Sequence, residues 1–258
     1  MMKNQLCSSV KVRLKEHRLV VGSWVTLAHP AIAEIMADAG FDWLAVDLEH
    51  SVITLREAEE LIRVISLKGI VPLVRLSSND PVQIKRVMDA GSTGVIVPMV
   101  NSREDVMRAI DGVYYPLKGK RGAGLARAQH YSMNFEEYKN WLENEAIIIV
   151  QIEHIDAVKN IREIFSVKEV NGFIIGPYDL SASMGLAGQL EHPRVREAMQ
   201  EVQNLAAEMK ITSGVHVIQP DPAELKRRID EGYHFIAYSI DFLLLSDNCR
   251  RGMKVLKQ

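Results

Sequence analysis

The sequence predicts a single (β/α)₈ barrel of the α/β class, and two observations carry that prediction. Eight short, apolar, strand-like runs alternate with helical segments, and 258 residues is an ordinary length for eight closed β/α units. A doubly wound open sheet shows the same alternation and stays open on periodicity alone. It is weakened because GSWVTLAHP, not a Gly-rich phosphate loop, accompanies the first strand.

The strands are predicted where β-branched and aliphatic residues cluster between turn signals. Their expected ranges are 20–27, 42–48, 70–76, 94–99, 146–152, 171–176, 212–218 and 234–240. Helices should begin at the capping box Thr54-Leu-Arg-Glu57 and at Asp80-Pro81 and Asp221-Pro222, where an acceptor precedes proline. Glycines that favour a left-handed helix terminus mark the expected ends: Gly40, Gly69, Gly91 and Gly232.

Composition predicts one globular domain over residues 1–258, with a short N-terminal extension and a long loop at about 113–135. Hydrophobic residues make up 47% and charged residues 25% of the chain, which is ordinary for a soluble protein. The net charge of −2 with scattered basic residues argues against nucleic acid and anionic membranes as partners. A small molecule is therefore the expected partner.

Cysteine use and the amino terminus predict a cytoplasmic protein. Cys7 and Cys249 lie near opposite ends without metal-type spacing, so both are expected to be free thiols in a reducing compartment. The first residues lack the apolar core of a signal peptide, and no apolar run approaches the ~20 residues that span a bilayer.

The long stretch between the fourth and fifth strands is rich in glycine and basic residues. Loops of this length in a compact domain are usually functional or disordered. It could wrap an anionic ligand, or it could be a solvated basic loop, and the sequence leaves both interpretations open. Its cations are Lys118, Lys120, Arg121 and Arg127.

Two neighbouring strands each deliver one carboxylate just past the strand end, Glu153 in VQIEHI and Asp179 in GPYDLSAS. Neighbouring parallel strands lie ~4.8 Å apart, so both side chains can reach one small volume. Crowded carboxylates repel one another, whereas a hard dication such as Mg²⁺ or Mn²⁺ would hold both ionised. The alternative is that each is only a helix cap or a solvated loop residue.

Other strand ends are also polar, and in a barrel the reactive groups lie at these ends. His50, which follows Asp47 and Glu49, could be a general base or a packing histidine. Arg75 could stabilise an oxyanion or pair with either acid. Gln151 precedes Glu153 by two residues.

Three further residues are expected at the same rim, and the sequence favours a structural role for each of them. Trp24 on the first strand is core or a pocket wall that shapes substrate access. His216 at the end of strand seven and Asp241 after strand eight are expected to support the site rather than react.

Taken together, these segments resemble the HpcH/HpaI aldolase family, the class II pyruvate aldolases. The resemblance runs from about residue 20 to 250, in order, through DWLAVDLEHS (42–51), PLVRL (72–76), VMDAG (87–91), IVPMV (96–100), YPLKGKRGAGLARA (115–128), VQIE (150–153) and GPYDLSASMG (176–185). It implies a barrel of the phosphoenolpyruvate/pyruvate type, commonly a hexamer, acting on a 2-oxo acid and an aldehyde.

The same resemblance implies a role for each site residue. Glu153 and Asp179 would bind the divalent metal, which could be Mg²⁺, Mn²⁺ or Co²⁺, with pyruvate chelating through its carboxylate and keto oxygens. Arg75 would share the charge of the enolate with the metal, and His50 would be the base. Gln151 would hydrogen-bond the oxo acid, and backbone N–H groups near Ser181 would hold its carboxylate.

The resemblance implies that Asp89 is the aspartate that pairs with the catalytic histidine. Asp89 precedes strand four, however, and so belongs at the opposite end of the barrel from His50. If the pair forms, Asp89 must come from a neighbouring subunit. Two residues depart from the family pattern, Tyr178 between Pro177 and Asp179, and His216 in place of a small apolar residue. Both departures put the identity of the aldehyde in doubt.

The leading prediction is a metal-dependent aldolase that cleaves a 4-hydroxy-2-oxo acid into pyruvate and an aldehyde. The alternatives are an oxaloacetate decarboxylase or a C–C bond-forming synthase that uses the same enolate. A non-catalytic ligand-binding barrel is a remote alternative, because the polar strand ends form a complete set.

Overall fold

The computed structural model describes residues 10–254 and contains a closed barrel of eight parallel strands in sequential order. The predicted (β/α)₈ barrel is confirmed, and each strand lies within its predicted range. The strands are β1 Val20–Val25, β2 Trp43–Asp47, β3 Val71–Arg75, β4 Gly94–Val97, β5 Ile147–Ile152, β6 Gly172–Ile175, β7 Ser213–Val217 and β8 Phe235–Ile240. Parallel pairing of β1 with β8 closes the barrel.

Helices surround the barrel, and three of them start at the three predicted signals. A first helix, α1, covers residues 10–15 of the described chain. The others are α2 Pro30–Ala37, α3 Leu55–Leu67, α4 Pro81–Asp89, α5 Arg103–Val113, α6 Phe135–Glu145, α7 Ile155–Lys159, α8 Ile161–Phe165, α9 Pro177–Ser183, α10 Pro193–Met209, α11 Pro222–Asp230 and α12 Asp241–Met253.

The predicted helix signals act as expected. Thr54 forms the full capping box with Glu57, and Asp80 and Asp221 accept hydrogen bonds from the first turns of α4 and α11. The four predicted terminator glycines have φ between 83° and 97°, the left-handed region that glycine adopts without a Cβ clash. Within residues 10–254, no helix has the length and apolar character needed to cross a membrane.

Side chains from alternate strands fill the barrel in layers, and the pairing register identifies each layer. Strands in such a barrel are staggered by about one residue per strand. A residue is therefore level with one on the second strand along, two positions beyond the residue that the pairing register alone would give. One layer from the even-numbered strands contains Trp43, Gly94, Gly172 and Phe235. The Trp43 and Phe235 rings stack with centroids 4.4 Å apart and fill the space that the glycines leave.

Gly22 lies against Trp43 of this pair, and we expect Gly22→Ala to destabilise the fold strongly. An added Cβ would lie 2.0 Å from Trp43 Cδ2 and 2.4 Å from the Trp43 carbonyl oxygen, so backbone as well as side chain must move. The expected loss is about 3 kcal/mol or more in the free energy of unfolding, measured by urea denaturation. Gly122→Ala is the control, because nothing lies within 4 Å of its added Cβ. Equal stability of the two variants would contradict this packing.

Helix α1 covers the end of the barrel where the strands begin. Val10 and Leu14 are buried in the interior cluster with Val20 and Phe235, and Arg13 forms an ion pair with Asp42. The opposite end, where the strands finish, is therefore the open mouth. Of the two predicted free thiols, Cys249 is an exposed free cysteine, whereas Cys7 lies outside the described residues.

Candidate active site

Four inward-facing side chains from the odd-numbered strands form a polar layer just below the open mouth. The register places Trp24, Arg75, Gln151 and His216 at one height. We call this layer the floor. It brings together three residues predicted for the site, and His216 completes it.

Asp47 at the end of β2 fixes Arg75 on the floor. The fully buried Asp47 carboxylate accepts hydrogen bonds from Arg75 Nε at 2.9 Å and from Nη2 at 2.5 Å. Its Oδ1 also accepts the backbone N–H groups of Glu49 and His50. A two-point guanidinium–carboxylate pair holds the cation in one orientation, and the same acid shapes the loop that carries His50.

Glu49 connects the two halves of the floor, a role that the sequence did not single out. Its Oε2 accepts a hydrogen bond from Gln151 Nε2 at 3.0 Å and lies 3.5 Å from Arg75 Nε. The same oxygen is 3.7 Å from His50 Nε2. The signal was present in DLEH, but only the fold shows which way this acid turns.

Glu153 is buried at the end of β5, with 4% of its surface exposed. Its Oε1 accepts the Met99 backbone N–H at 2.6 Å, and its Oε2 accepts Gln151 Nε2 at 3.0 Å. Gly176 makes room for this carboxylate, because a Cβ there would lie 2.8 Å from Glu153 Oε2. The sequence analysis did not identify the Met99 N–H as a partner of Glu153, because a backbone N–H leaves no signal in a side-chain pattern.

Asp179 lies in the first turn of α9 and is exposed at the mouth. Its charge acts on both Glu49 and Glu153, so the three carboxylates share one region. Ser181 is buried, and its Oγ donates to the Tyr178 carbonyl at 2.7 Å and accepts the Gly188 N–H at 3.1 Å. The Ser181 hydroxyl therefore supports the fold of the loop.

Arg75 lies beside Glu49, but among the described residues no cation is paired with the buried Glu153. Burial raises the pKa of Glu153, and the charges of Glu49 and Asp179 add to that rise, although hydrogen bonds from Met99 and Gln151 oppose it. Burial also raises the pKa of Glu49, with Arg75 opposing. A divalent cation would relieve this repulsion, and the oxygen donors are of the kind Mg²⁺ and Mn²⁺ prefer.

The protein can supply only part of such a coordination shell. Among the described residues, no group of three or more His, Cys, Asp or Glu side chains is arranged to hold a metal. One or two carboxylates completed by water and substrate oxygens is the usual arrangement for Mg²⁺. The residues present therefore fit a metal that is bound together with its substrate.

His50 lies at the outer edge of the mouth, with 63% of its side chain exposed. Asp89, its predicted partner, ends α4 at the other end of the barrel, as its position before β4 requires. There it forms an ion pair with Arg121, with Arg121 Nη2 2.5 Å from Asp89 Oδ1. Within one chain, His50 and Asp89 therefore do not meet.

The basic loop is at the Asp89 end, and its cations contact the chain itself. Arg121 is fully buried, donating also to the Tyr138 hydroxyl, and Arg127 donates to the Ala90 carbonyl. Lys118 pairs with Glu143 and Glu169, and Lys120 pairs with Asp111. Within one chain this loop does not surround the candidate site, so a ligand-wrapping role stays a prediction that requires the loop of a neighbouring subunit.

Asp241 is part of the scaffold, as expected. Its carboxylate accepts the backbone N–H groups of Thr26 and Leu27 and the Thr26 hydroxyl, all at 2.6–2.7 Å. These bonds fix the loop after β1 to the start of α12.

Comparison with known proteins decides the family. The family description "HpcH/HpaI aldolase/citrate lyase" matches residues 20–247. The chain belongs to this family. The predicted resemblance is therefore confirmed over nearly the whole barrel.

Members of the aldolase family resemble the chain over nearly their full length. The 4-hydroxy-2-oxo-heptane-1,7-dioate aldolase of Escherichia coli is 36% identical over 241 residues, covering 93% of this chain and 91% of that protein. The Salmonella typhimurium protein of the same name is 35% identical over 252 residues, covering 96% and 93%. Family and relatives make this protein a carbon–carbon lyase.

Solved structures of the aldolase family share the barrel. A family protein from Burkholderia cenocepacia superposes with a TM-score of 0.90 at 28% identity, covering 97% of this chain and all of that one. The HpcH/HpaI aldolase from Desulfitobacterium hafniense gives a TM-score of 0.86 at 32% identity, covering 96% of each chain.

Proposed function

We propose that this lyase cleaves a 4-hydroxy-2-oxo acid reversibly into pyruvate and an aldehyde, with a divalent metal held by Glu153 and Asp179. The observation that carries the proposal is the cluster of carboxylates beside Arg75 and Gln151 on the floor. Burial and neighbouring carboxylates raise the pKa of Glu153, and among the described residues no cation is paired with it. A perturbed acid of this kind in a cleft is a candidate for a functional site, and a divalent cation would supply the missing charge. The relatives named as 4-hydroxy-2-oxo-heptane-1,7-dioate aldolases support the same reaction class.

In the proposed reaction, His50 accepts the proton of the 4-hydroxyl group. The bond between C3 and C4 then breaks, the aldehyde leaves, and the electron pair becomes the enolate of pyruvate. The proton that His50 accepted then returns to C3, which completes pyruvate and restores the base. When bound, the metal supplies Lewis-acid polarisation of the 2-oxo group.

Arg75 stabilises the negative charge that develops on the 2-oxygen. The Asp47 pair and the Trp24 ring, whose centroid is 4.1 Å from Arg75 Cζ, hold the guanidinium in place before the reaction. Preorganised charge of this kind is effective because little reorganisation is needed as the enolate forms. Gln151 Nε2 donates its two hydrogens to Glu49 and Glu153, and its proposed hydrogen bond to the oxo acid replaces one of these. Backbone N–H groups at the start of α9, near Ser181, are proposed to hold its carboxylate.

Removal of the metal tests the proposal directly. Protein treated with a chelator is assayed for pyruvate release from 4-hydroxy-2-oxo acids, before and after Mg²⁺, Mn²⁺ or Co²⁺ is restored. We expect the metal-free protein to lose at least about 10²-fold in kcat/KM and to recover with one or more of the ions. Full cleavage activity without metal would contradict the proposal. Oxaloacetate decarboxylation with no aldol activity would favour the alternative function.

We also propose that the enzyme works as a homo-oligomer, with a hexamer as the expected form. The basis is the separation of His50 and Asp89 within one chain. His50 is exposed at the mouth, whereas Asp89 lies at the opposite end of the barrel, partly exposed and paired with Arg121. A neighbouring copy can bring the two together, whereas a single copy cannot.

A further inference from the structure

His216 occupies the quarter of the floor that the pyruvate half of the site does not use. Arg75 and Gln151 lie on β3 and β5, and the two proposed metal carboxylates follow β5 and β6. His216 lies on β7, beside Trp24 on β1. The Trp24 and His216 rings meet edge to face with centroids 5.8 Å apart. A group attached to the reacting aldehyde carbon and directed toward β7 would therefore meet His216.

An irregularity in β8 fixes the tautomer of this ring. The pairing of β8 with β1 shifts between Gly22 and Trp24, and Ser239 there has a φ of 55°. Bulges of this kind redirect backbone groups beside active sites. The Ser239 carbonyl lies 3.2 Å from His216 Nε2. A carbonyl can only accept, so the proton is on Nε2.

The His216 ring is neutral, and its Nδ1 has no partner among the described residues. Burial lowers the pKa of His216 to about 4; the nearby Arg75 cation lowers it further, while the Ser239 carbonyl and Asp47 act in the opposite direction. In the neutral ring with Nε2 protonated, Nδ1 carries a lone pair. Nδ1 makes no hydrogen bond to the described part of the chain, and the ring is partly exposed at the mouth.

We propose that His216 Nδ1 accepts a hydrogen bond from a hydroxyl group on the aldehyde, and so selects hydroxyaldehydes. This inference rests on the aldol reaction proposed above and names the class of its second substrate. A carboxylate-bearing aldehyde gains nothing from Nδ1, because both groups are acceptors. Arg75, the cation of the floor, is already paired with Asp47.

Two aldehydes of equal size test the selection. Glycolaldehyde and propanal differ only by a hydroxyl in place of a methyl group, and succinic semialdehyde adds a carboxylate. Aldol addition of pyruvate is measured with each, using the metal-loaded enzyme. We expect kcat/KM for glycolaldehyde to exceed both others by about tenfold or more, since one neutral hydrogen bond gives a preference of this size.

Three substitutions at His216 separate its two nitrogens. His216→Leu should bring the glycolaldehyde-to-propanal ratio close to one. His216→Asn, which can place an acceptor near the position of Nδ1, should retain part of the ratio. His216→Gln, which places its donor near the position of Nε2, should lose it. Ile218→Val, two residues farther along at the same rim, is the control and should keep the wild-type ratio.

The outcomes distinguish this inference from the proposed function. An unchanged ratio in His216→Leu, a wild-type ratio near one, or a preference for succinic semialdehyde would each overturn the inference while the aldolase stands. If the wild-type enzyme adds pyruvate to none of the aldehydes, the proposed function fails and the inference fails with it. Should His216→Leu not fold, the difference between the Asn and Gln variants decides.

Discussion

Glu153→Gln and Asp179→Asn are each expected to lower kcat/KM for retro-aldol cleavage by about 10³-fold or more, because each removes a charged oxygen ligand from the proposed metal site. Titration with Mn²⁺, followed by electron paramagnetic resonance, should show the corresponding loss of affinity. Asp179 is exposed and makes no hydrogen bond through its side chain within the described residues, so Asp179→Asn should leave the metal-free protein as stable as wild type.

A stability measurement separates loss of the site from loss of the fold. A metal that binds only the folded state raises the melting temperature as its concentration rises. We expect this rise in wild type and not in Asp179→Asn. Asp156→Asn is the matched control, because Asp156 follows β5, as Glu153 does, is half exposed and pairs with Lys159. Undiminished Mn²⁺ binding in both Glu153→Gln and Asp179→Asn would refute the site as drawn.

Mixing two inactive variants is expected to restore activity if the catalytic pair is shared between subunits. His50→Ala and Asp89→Asn should each lower retro-aldol cleavage by about 10²-fold or more, since each disables the same proton transfer. After dissociation and random reassembly of an equal mixture, about a quarter of the sites combine an intact His50 with an intact Asp89 from a neighbour. Activity should therefore recover to about a quarter of the wild-type value.

One outcome would contradict the shared pair, and one variant serves as the control. No recovery in verified hybrid oligomers would count against a shared pair, because a pair within one chain cannot be rebuilt by mixing. Asp111→Asn is the control, since Asp111 forms an ion pair with Lys120 in the basic loop, at the same end as Asp89. It should be active by itself. Oxaloacetate decarboxylation should survive in His50→Ala, since loss of CO₂ needs no base at a 4-hydroxyl.

The barrel was predictable because its signals are local. Each strand is a short run of β-branched and aliphatic residues, and the helices begin at side-chain caps such as Thr54 and end at glycines such as Gly40. These preferences act over a few residues and need no tertiary contact. Parallel strands also end at the same edge, so the grouping of Arg75, Gln151 and Glu153 at the mouth followed from their places in the chain.

The tertiary structure decided what each side chain does once it reaches the mouth. Glu49 turns toward Gln151, the Met99 backbone N–H meets Glu153, and a bulge aims the Ser239 carbonyl at His216. In the tertiary structure Arg121 also forms an ion pair with Asp89 rather than facing the candidate site. These contacts join residues from different strands and loops, so they depend on register, backbone direction and burial, which no local run of sequence encodes. The sequence by itself therefore determined the fold and the family and predicted Glu153 and Asp179 as the metal-binding acids, whereas packing decided which partners the side chains at the mouth contact.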